Sequence, residues 1–177
     1  MDRRIKRTRN AVFNAVLDLM VEKDTNKITV LELCKKADIN KSTFYLHYKS
    51  MDDCLHSCFQ TIMDEVIEIS KRINYNDIRY NPESAVTILL DEVEKKIDFL
   101  TKFKSSHNCA HSIKVLKENL IKYIAENNGF TLENNYYEIS MITFAVTGCI
   151  DVIINPLPVF KKDELSKVIC SMLQSHS

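Results

Sequence analysis

An all-α protein is the fold this sequence predicts, and three observations carry that expectation. Only two glycines and three prolines punctuate the 177 residues, which leaves few turns for a sheet to use. Apolar residues recur at i, i+3, i+4 and i+7 through most of the chain, the period of one helix face. Residues that start or stop helices, among them Thr29, Ser50, Pro82 and Asn127-Asn128-Gly129, fall at the ends of those runs. The length suits one or two compact domains with a sizeable core.

The first helix is expected over Arg3–Glu22, with Phe13, Val16, Leu17 and Met20 on one face and Arg3, Arg4, Lys6, Arg7 and Arg9 in its opening turns. Thr29 and Glu32 then form a T-x-x-E capping box, so a second helix starts there with its orphan amides satisfied. Val30, Leu33, Cys34 and Ala37 make its apolar stripe. Asp38 sits where the chain must turn, and aspartate tolerates left-handed backbone better than most residues. Ile39 plugs the turn into the core, and Asn40 is placed to N-cap a third helix from Lys41 to about Tyr48.

At 100° per residue, Phe44 and Tyr48 share the inner edge of that third helix. Ser42, Thr43 and Leu46 face the other way, flanked by Tyr45 and His47, with Lys41 at the start. Leu46 breaks the binary pattern, because an apolar side chain points where solvent should be. A thymine methyl in the major groove is one physical reason to keep it there; a scattered surface leucine is the other reading. The basic residues of the first helix divide the same way. They are either an ordinary solvated end or, beside a DNA-reading helix, a set reaching phosphates or the neighbouring minor groove.

The run from Asn40, N-K-S-T-F-Y-L-H-Y-K-S-M-D-D-C, resembles the recognition helix of the TetR family of transcriptional regulators, which typically reads S-K-G-T-L-Y-x-H-F-K-S-K-E-E-L. Lys41, Thr43, Tyr45, His47, Lys49 and Ser50 match directly, and Phe44 and Tyr48 are like-for-like swaps. Asp38 and Ser42 replace usual glycines. The resemblance covers residues 1 to about 60. It implies a three-helix helix-turn-helix DNA-binding domain, residues 1–50, and a helical effector-binding and dimerisation domain, residues 51–177. It further implies a homodimer on double-stranded DNA with a roughly palindromic operator, most simply a repressor released by a small-molecule effector. Thr29, Tyr45, His47 and Lys49 would hold phosphates, Ser42, Thr43 and Leu46 would meet base edges, and Lys41 could do either. Arg3, Arg4 and Lys6 would form a weaker N-terminal arm. Two alternatives stay open: an activator or co-regulator controlled by a protein partner, and a helical interaction protein that does not bind DNA.

The remainder of the chain reads as further helices. Ser50 caps the fourth, with Asp52 and Asp53 completing a box, and Leu55, Phe59, Ile62, Val66, Ile69 and Ile73 continue its stripe. Asn74–Asn81 reads as a loop. Pro82 opens a fifth helix that runs to Leu100, and a sixth spans about His107–Glu126 before Asn127-Asn128-Gly129 stops it. Two closing helices are expected at Glu133–Ile154 and Asp163–Gln174. Apolar residues surround the first of these, which must therefore be buried on every side. In the family these helices pair with their copies, which makes Ile142, Val146, Val168 and Met172 the candidate dimer interface; a central helix wrapped by its own chain is the alternative. Phe99, Phe103, Met141 and Phe144 are candidate pocket walls, though such residues at helical spacing also serve as plain core.

Charge and cysteine usage narrow the classes. Net charge is zero, yet residues 1–50 carry 11 Lys and Arg against 6 Asp and Glu, and the remainder 13 against 18. A basic first third ahead of an acidic remainder suits a DNA-reading head on a separate body. The polar start M-D-R-R-I-K-R-T-R does not read as a secretory signal, so reduced thiols and a cytoplasmic location are expected for the six cysteines. Ile139–Ile154 is interrupted by Asp151 and closed by Pro156 and Pro158, short of the roughly twenty apolar residues a membrane span needs. His107, Cys109 and His111 lie close together, but spacing supplies no third ligand, and no metal or cofactor is expected. Cys54 and Cys58, one turn apart, read as small buried hydrophobes, with a redox switch as the minor reading. No phosphate-cradling loop, nucleophile elbow or H-E-x-x-H motif is present, so the expectation is a protein without catalytic activity.

Overall fold

The computed structural model describes residues 3–75, 81–131, 133–136, 139, 140, 143, 164, 167, 170 and 171. Among them the protein forms seven α-helices and no strand: α1 (Arg3–Glu22), α2 (Val30–Ala37), α3 (Lys41–His47), α4 (Met51–Ser70), α5 (Pro82–Lys95), α6 (Ile97–Lys104) and α7 (Cys109–Asn127). The chain divides into two compact units. The first comprises residues 1–63 with 101–112, and the second residues 64–100 with 113–177.

In the first unit α1 packs on α2 and α2 on α3. Their shared core holds Val12, Val16, Leu19, Leu33, Cys34, Phe44, Tyr48, Cys54 and Cys58, with Ile28 and Ile39 filling its ends. The start of α2 follows its sequence closely. Thr29 accepts a hydrogen bond from the Glu32 amide while the Glu32 carboxylate accepts one from the Thr29 amide, so both halves of the capping box exist. The stop is Asp38, whose φ of 53° lies in the left-handed region. There the Asp38 and Ile39 amides both return to the Cys34 carbonyl, satisfying an acceptor in the last turn of the helix. A short 3-10 turn at Thr25–Lys27 joins α1 to α2, in a stretch whose pattern announces no element.

Residues 101–112 join this unit at the C-terminal end of α1. The His107 amide donates to the Met20 carbonyl at 3.0 Å, and Lys102 pairs with Asp18 at 2.9 Å. Phe103 is buried in the same segment.

In the second unit Leu120 and Ile124 of α7 pack with Val66, Tyr75, Tyr123 and Phe130. Gly129, with φ of 67°, ends α7. The Phe130 amide reaches the Ala125 carbonyl at 2.9 Å and the Gly129 amide reaches Glu126. That is a Schellman closure, completed by Phe130 folding back on Ile124. Glu92 gathers Arg72 and Lys95 at 2.7 and 2.8 Å, and Lys96 pairs with Glu65 at 2.6 Å.

The structure differs from the expected fifth helix by breaking it at Lys96 into α5 and α6. No glycine or proline marks the break. Its trace is electrostatic: Lys95 closes one helix and Asp98 opens the next, each suited to its end of the macrodipole. The expected sixth helix starts two residues late, at Cys109, because His107 is engaged by the end of α1. Most of the expected closing helices, Glu133–Ile154 and Asp163–Gln174, lies outside the described residues, as do Met141, Ile142, Phe144, Val146, Val168 and Met172.

Candidate nucleic-acid interface

Helix α3 presents one face to solvent because the other is locked. Phe44 is fully buried and Tyr48 nearly so, their rings 5.3 Å apart in a tilted pair. Tyr45 leans edge-on against Phe44, also at 5.3 Å, which directs its hydroxyl-bearing ring outward. Burial, ahead of the neighbouring thiols, pushes the Tyr48 hydroxyl up to about 12, so it stays neutral at any ordinary pH.

The outer face carries the remaining side chains. Lys41, Ser42, Tyr45 and Leu46 are exposed, and Thr43 and His47 are half-buried at the flanks. Leu46 is 83 % exposed, the most open of the large apolar side chains described. Asn40 occupies the N-cap position, but its side chain makes no capping hydrogen bond. The amide group that the sequence assigns to capping is instead carried on the exposed surface at the start of the helix.

Lys49 and Ser50 link α3 to α4 through a closed pair of bonds. The Lys49 amide donates to Asp53 at 2.7 Å, and the Asp53 amide donates to the Ser50 hydroxyl at 3.1 Å. This anchors the Lys49 backbone while its ammonium remains exposed. Ser50 therefore caps as expected, and Asp53 reaches one residue further back than a standard box.

Thr29 is exposed, but its hydroxyl is committed. It donates to Glu32 Oε2 at 2.8 Å and accepts from the Glu32 amide at 3.3 Å. The Glu32 carboxyl is held well down, to about 2, by the Lys23 ammonium first and by the Thr29 hydroxyl and amide next. A phosphate contact through the Thr29 hydroxyl thus requires that bond to be given up beside a fixed negative charge. Arg3, Arg4 and Lys6 are exposed along the opening turns of α1.

One exposed residue escapes the periodic reading. Leu31, at 62 % exposure, stands outside the Val30, Leu33, Cys34, Ala37 stripe, and an apolar residue off the stripe is the signal that marks it. Of the candidate pocket walls, Phe99 is half-buried and Phe103 buried, one turn apart on α6, while Met141 and Phe144 lie outside the described residues. Among the described residues no group of three or more His, Cys, Asp or Glu side chains is arranged to hold a metal ion. No helix among them is long and apolar enough to cross a membrane.

Residues 13–58 match the family model of bacterial regulatory proteins, tetR family. Over 94 residues the chain is 35 % identical to an uncharacterized HTH-type transcriptional regulator, YxbF, of Bacillus subtilis (strain 168). That match takes in 51 % of this chain and 24 % of the relative, so the chain spans about a quarter of the relative's length. Among solved structures, the dihydroxyacetone kinase operon activator DhaS resembles it in fold, with a TM-score of 0.52 at 19 % identity over 96 % of this chain and 95 % of that one.

Proposed function

We propose that this chain, whose residues 13–58 match the family model of bacterial regulatory proteins, tetR family, is a member of that family and a sequence-specific DNA-binding transcriptional regulator. The observation that carries the reading is the two-sidedness of α3. Phe44 is sealed into the core of the first unit while Leu46, two positions on, is 83 % exposed amid hydroxyls and cations. Such a face costs solvation for an isolated protein and suits the major groove, where thymine methyls and base-edge acceptors alternate.

In this reading Tyr45, His47 and Lys49 hold phosphates, while Ser42, Thr43 and Leu46 meet base edges, with Lys41 serving either. Arg3, Arg4 and Lys6 add non-specific attraction. Thr29 contributes by fixing the start of α2 more than by its own hydroxyl. The protein acts as a homodimer through Ile142, Val146, Val168 and Met172, so its operator is roughly palindromic, with half-sites about one helical turn, 34–36 Å, apart or more. A small-molecule effector that binds one head spacing better than the other releases a repressor from that operator.

Tyr45→Phe and Lys49→Ala, compared with the parent on genomic fragments selected by the purified protein, test the assignment. Both variants should weaken binding to every fragment alike, because phosphate contacts position without specifying. A change in which base is preferred, with overall affinity unaltered, would overturn the assignment.

A further inference from the structure

Helix α4 carries two thiols one turn apart, and DNA reading uses neither. Cys54 and Cys58 share a core with Phe44 and Tyr48, the two residues that seat α3. Buried thiols are ordinarily inert, and burial does push the Cys34 thiol of the same core up. Cys58 departs from that pattern. The Cys54 thiol donates a hydrogen bond to it, which holds Cys58 below the usual thiol range and pushes Cys54 up. Cys58 also retains 7 % of its surface in solvent, whereas Cys54 has none. Of the two, Cys58 is the residue nearer solvent, and Cys54 is the protonated partner that donates to it.

We propose that Cys54 and Cys58 form a peroxide-reactive dithiol whose oxidation to a disulfide unseats the recognition helix. Residues four apart on a helix have Cα atoms about 6 Å apart, inside the roughly 4.4–6.8 Å that a disulfide spans. Their Cβ atoms must still close to about 4 Å, so the first turns of α4 have to bend for the bond to form. That bend lies in the floor beneath Phe44 and Tyr48. The same strain makes the bond easily reduced, which makes the change reversible.

The chemistry balances with a hydroperoxide as oxidant. The Cys58 thiolate attacks the O–O bond of hydrogen peroxide, forming a sulfenic acid and releasing hydroxide. Cys54 sulfur then gives up its proton and displaces the hydroxyl from Cys58 sulfur, so the S–S bond forms as water leaves. Two thiols and one peroxide yield one disulfide and two waters. Loss of DNA binding as the outcome rests on the proposed function; the bond and the unseating do not.

The test is to titrate the purified full chain with hydrogen peroxide, follow it by mass and non-reducing peptide mapping, and measure amide exchange across α3 and binding to the selected fragments. The expected product is lighter by two hydrogens, bridges Cys54 to Cys58, and exchanges its α3 amides about tenfold faster or more. A reductant restores it, and Cys58→Ala and Cys54→Ala each abolish the bridge. A bridge to Cys34, oxygen addition without a bridge, or a Cys54–Cys58 bridge that leaves α3 protection unchanged would each overturn the proposal. If the bridge forms and α3 opens, but the reduced protein selects no fragment, the proposed function falls and the dithiol stands.

Discussion

Leu46 concentrates the DNA argument in a single side chain. At 83 % exposure it contributes nothing to the core, so Leu46→Ala should shift stability by no more than about 0.5 kcal/mol. In selection among randomised sites it should relax preference at one base pair by about 1–3 kcal/mol or less; an unchanged profile would make it an idle surface leucine. Glu32 carries a second prediction at this scale. Its carboxyl is held at about 2 against an ordinary 4.5, so its contribution is complete above about pH 4.5 and disappears as pH falls through about 2. Thermal unfolding of Glu32→Gln should converge with the parent across that window, and curves that stay parallel would show the charge of Glu32 to be without effect on stability. The inner and outer residues of α3 were legible because 3.6-residue periodicity separates them. The Asn40 side chain was not, because a good capping residue type does not oblige its side chain to cap.

Among the elements, α2 and its turn are the best specified. The capping box at Thr29 and the left-handed Asp38 are local bonds between near neighbours, and local chemistry is what a sequence displays. Asp38 still bears the cost of a Cβ at positive φ. Asp38→Gly should therefore raise the unfolding free energy by about 0.5–1 kcal/mol, read as a higher denaturation midpoint; a fall would mean the Asp38 carboxylate holds the turn in a way its backbone does not explain. The break between α5 and α6 was hidden for the opposite reason. It falls in D-E-V-E-K-K-I-D-F-L, good helix-forming sequence without a breaker, so its cause is not local. The 3-10 turn at Thr25–Lys27 was equally silent: it is braced by the long-range contact of the Thr25 amide with Asn108, 83 residues away, which no local pattern records.

For the whole molecule, the uneven charge of the chain bears on partners more than on fold. The basic excess of residues 1–50 coincides with the exposed arginines of α1 and the lysines flanking α3, whereas the acidic excess lies in residues 51–177. The attachment of residues 101–112 to the first unit was not legible in the sequence, since it depends on contacts such as His107 with Met20. The proposed homodimer rests on the apolar pattern of the sequence in residues 139–154 and 163–174. A charge placed at Ile142 or Val146 should give a monomer by sedimentation and abolish operator binding; an intact, DNA-competent dimer would refute that interface. The central claim, that α3 reads duplex DNA, meets its most direct test in a salt titration of the purified protein on genomic fragments. Selected fragments should share a near-palindromic motif, and log affinity should fall steeply and linearly with log salt as several phosphates are contacted. Failure to retain any duplex at low salt, or an affinity indifferent to salt, would contradict it.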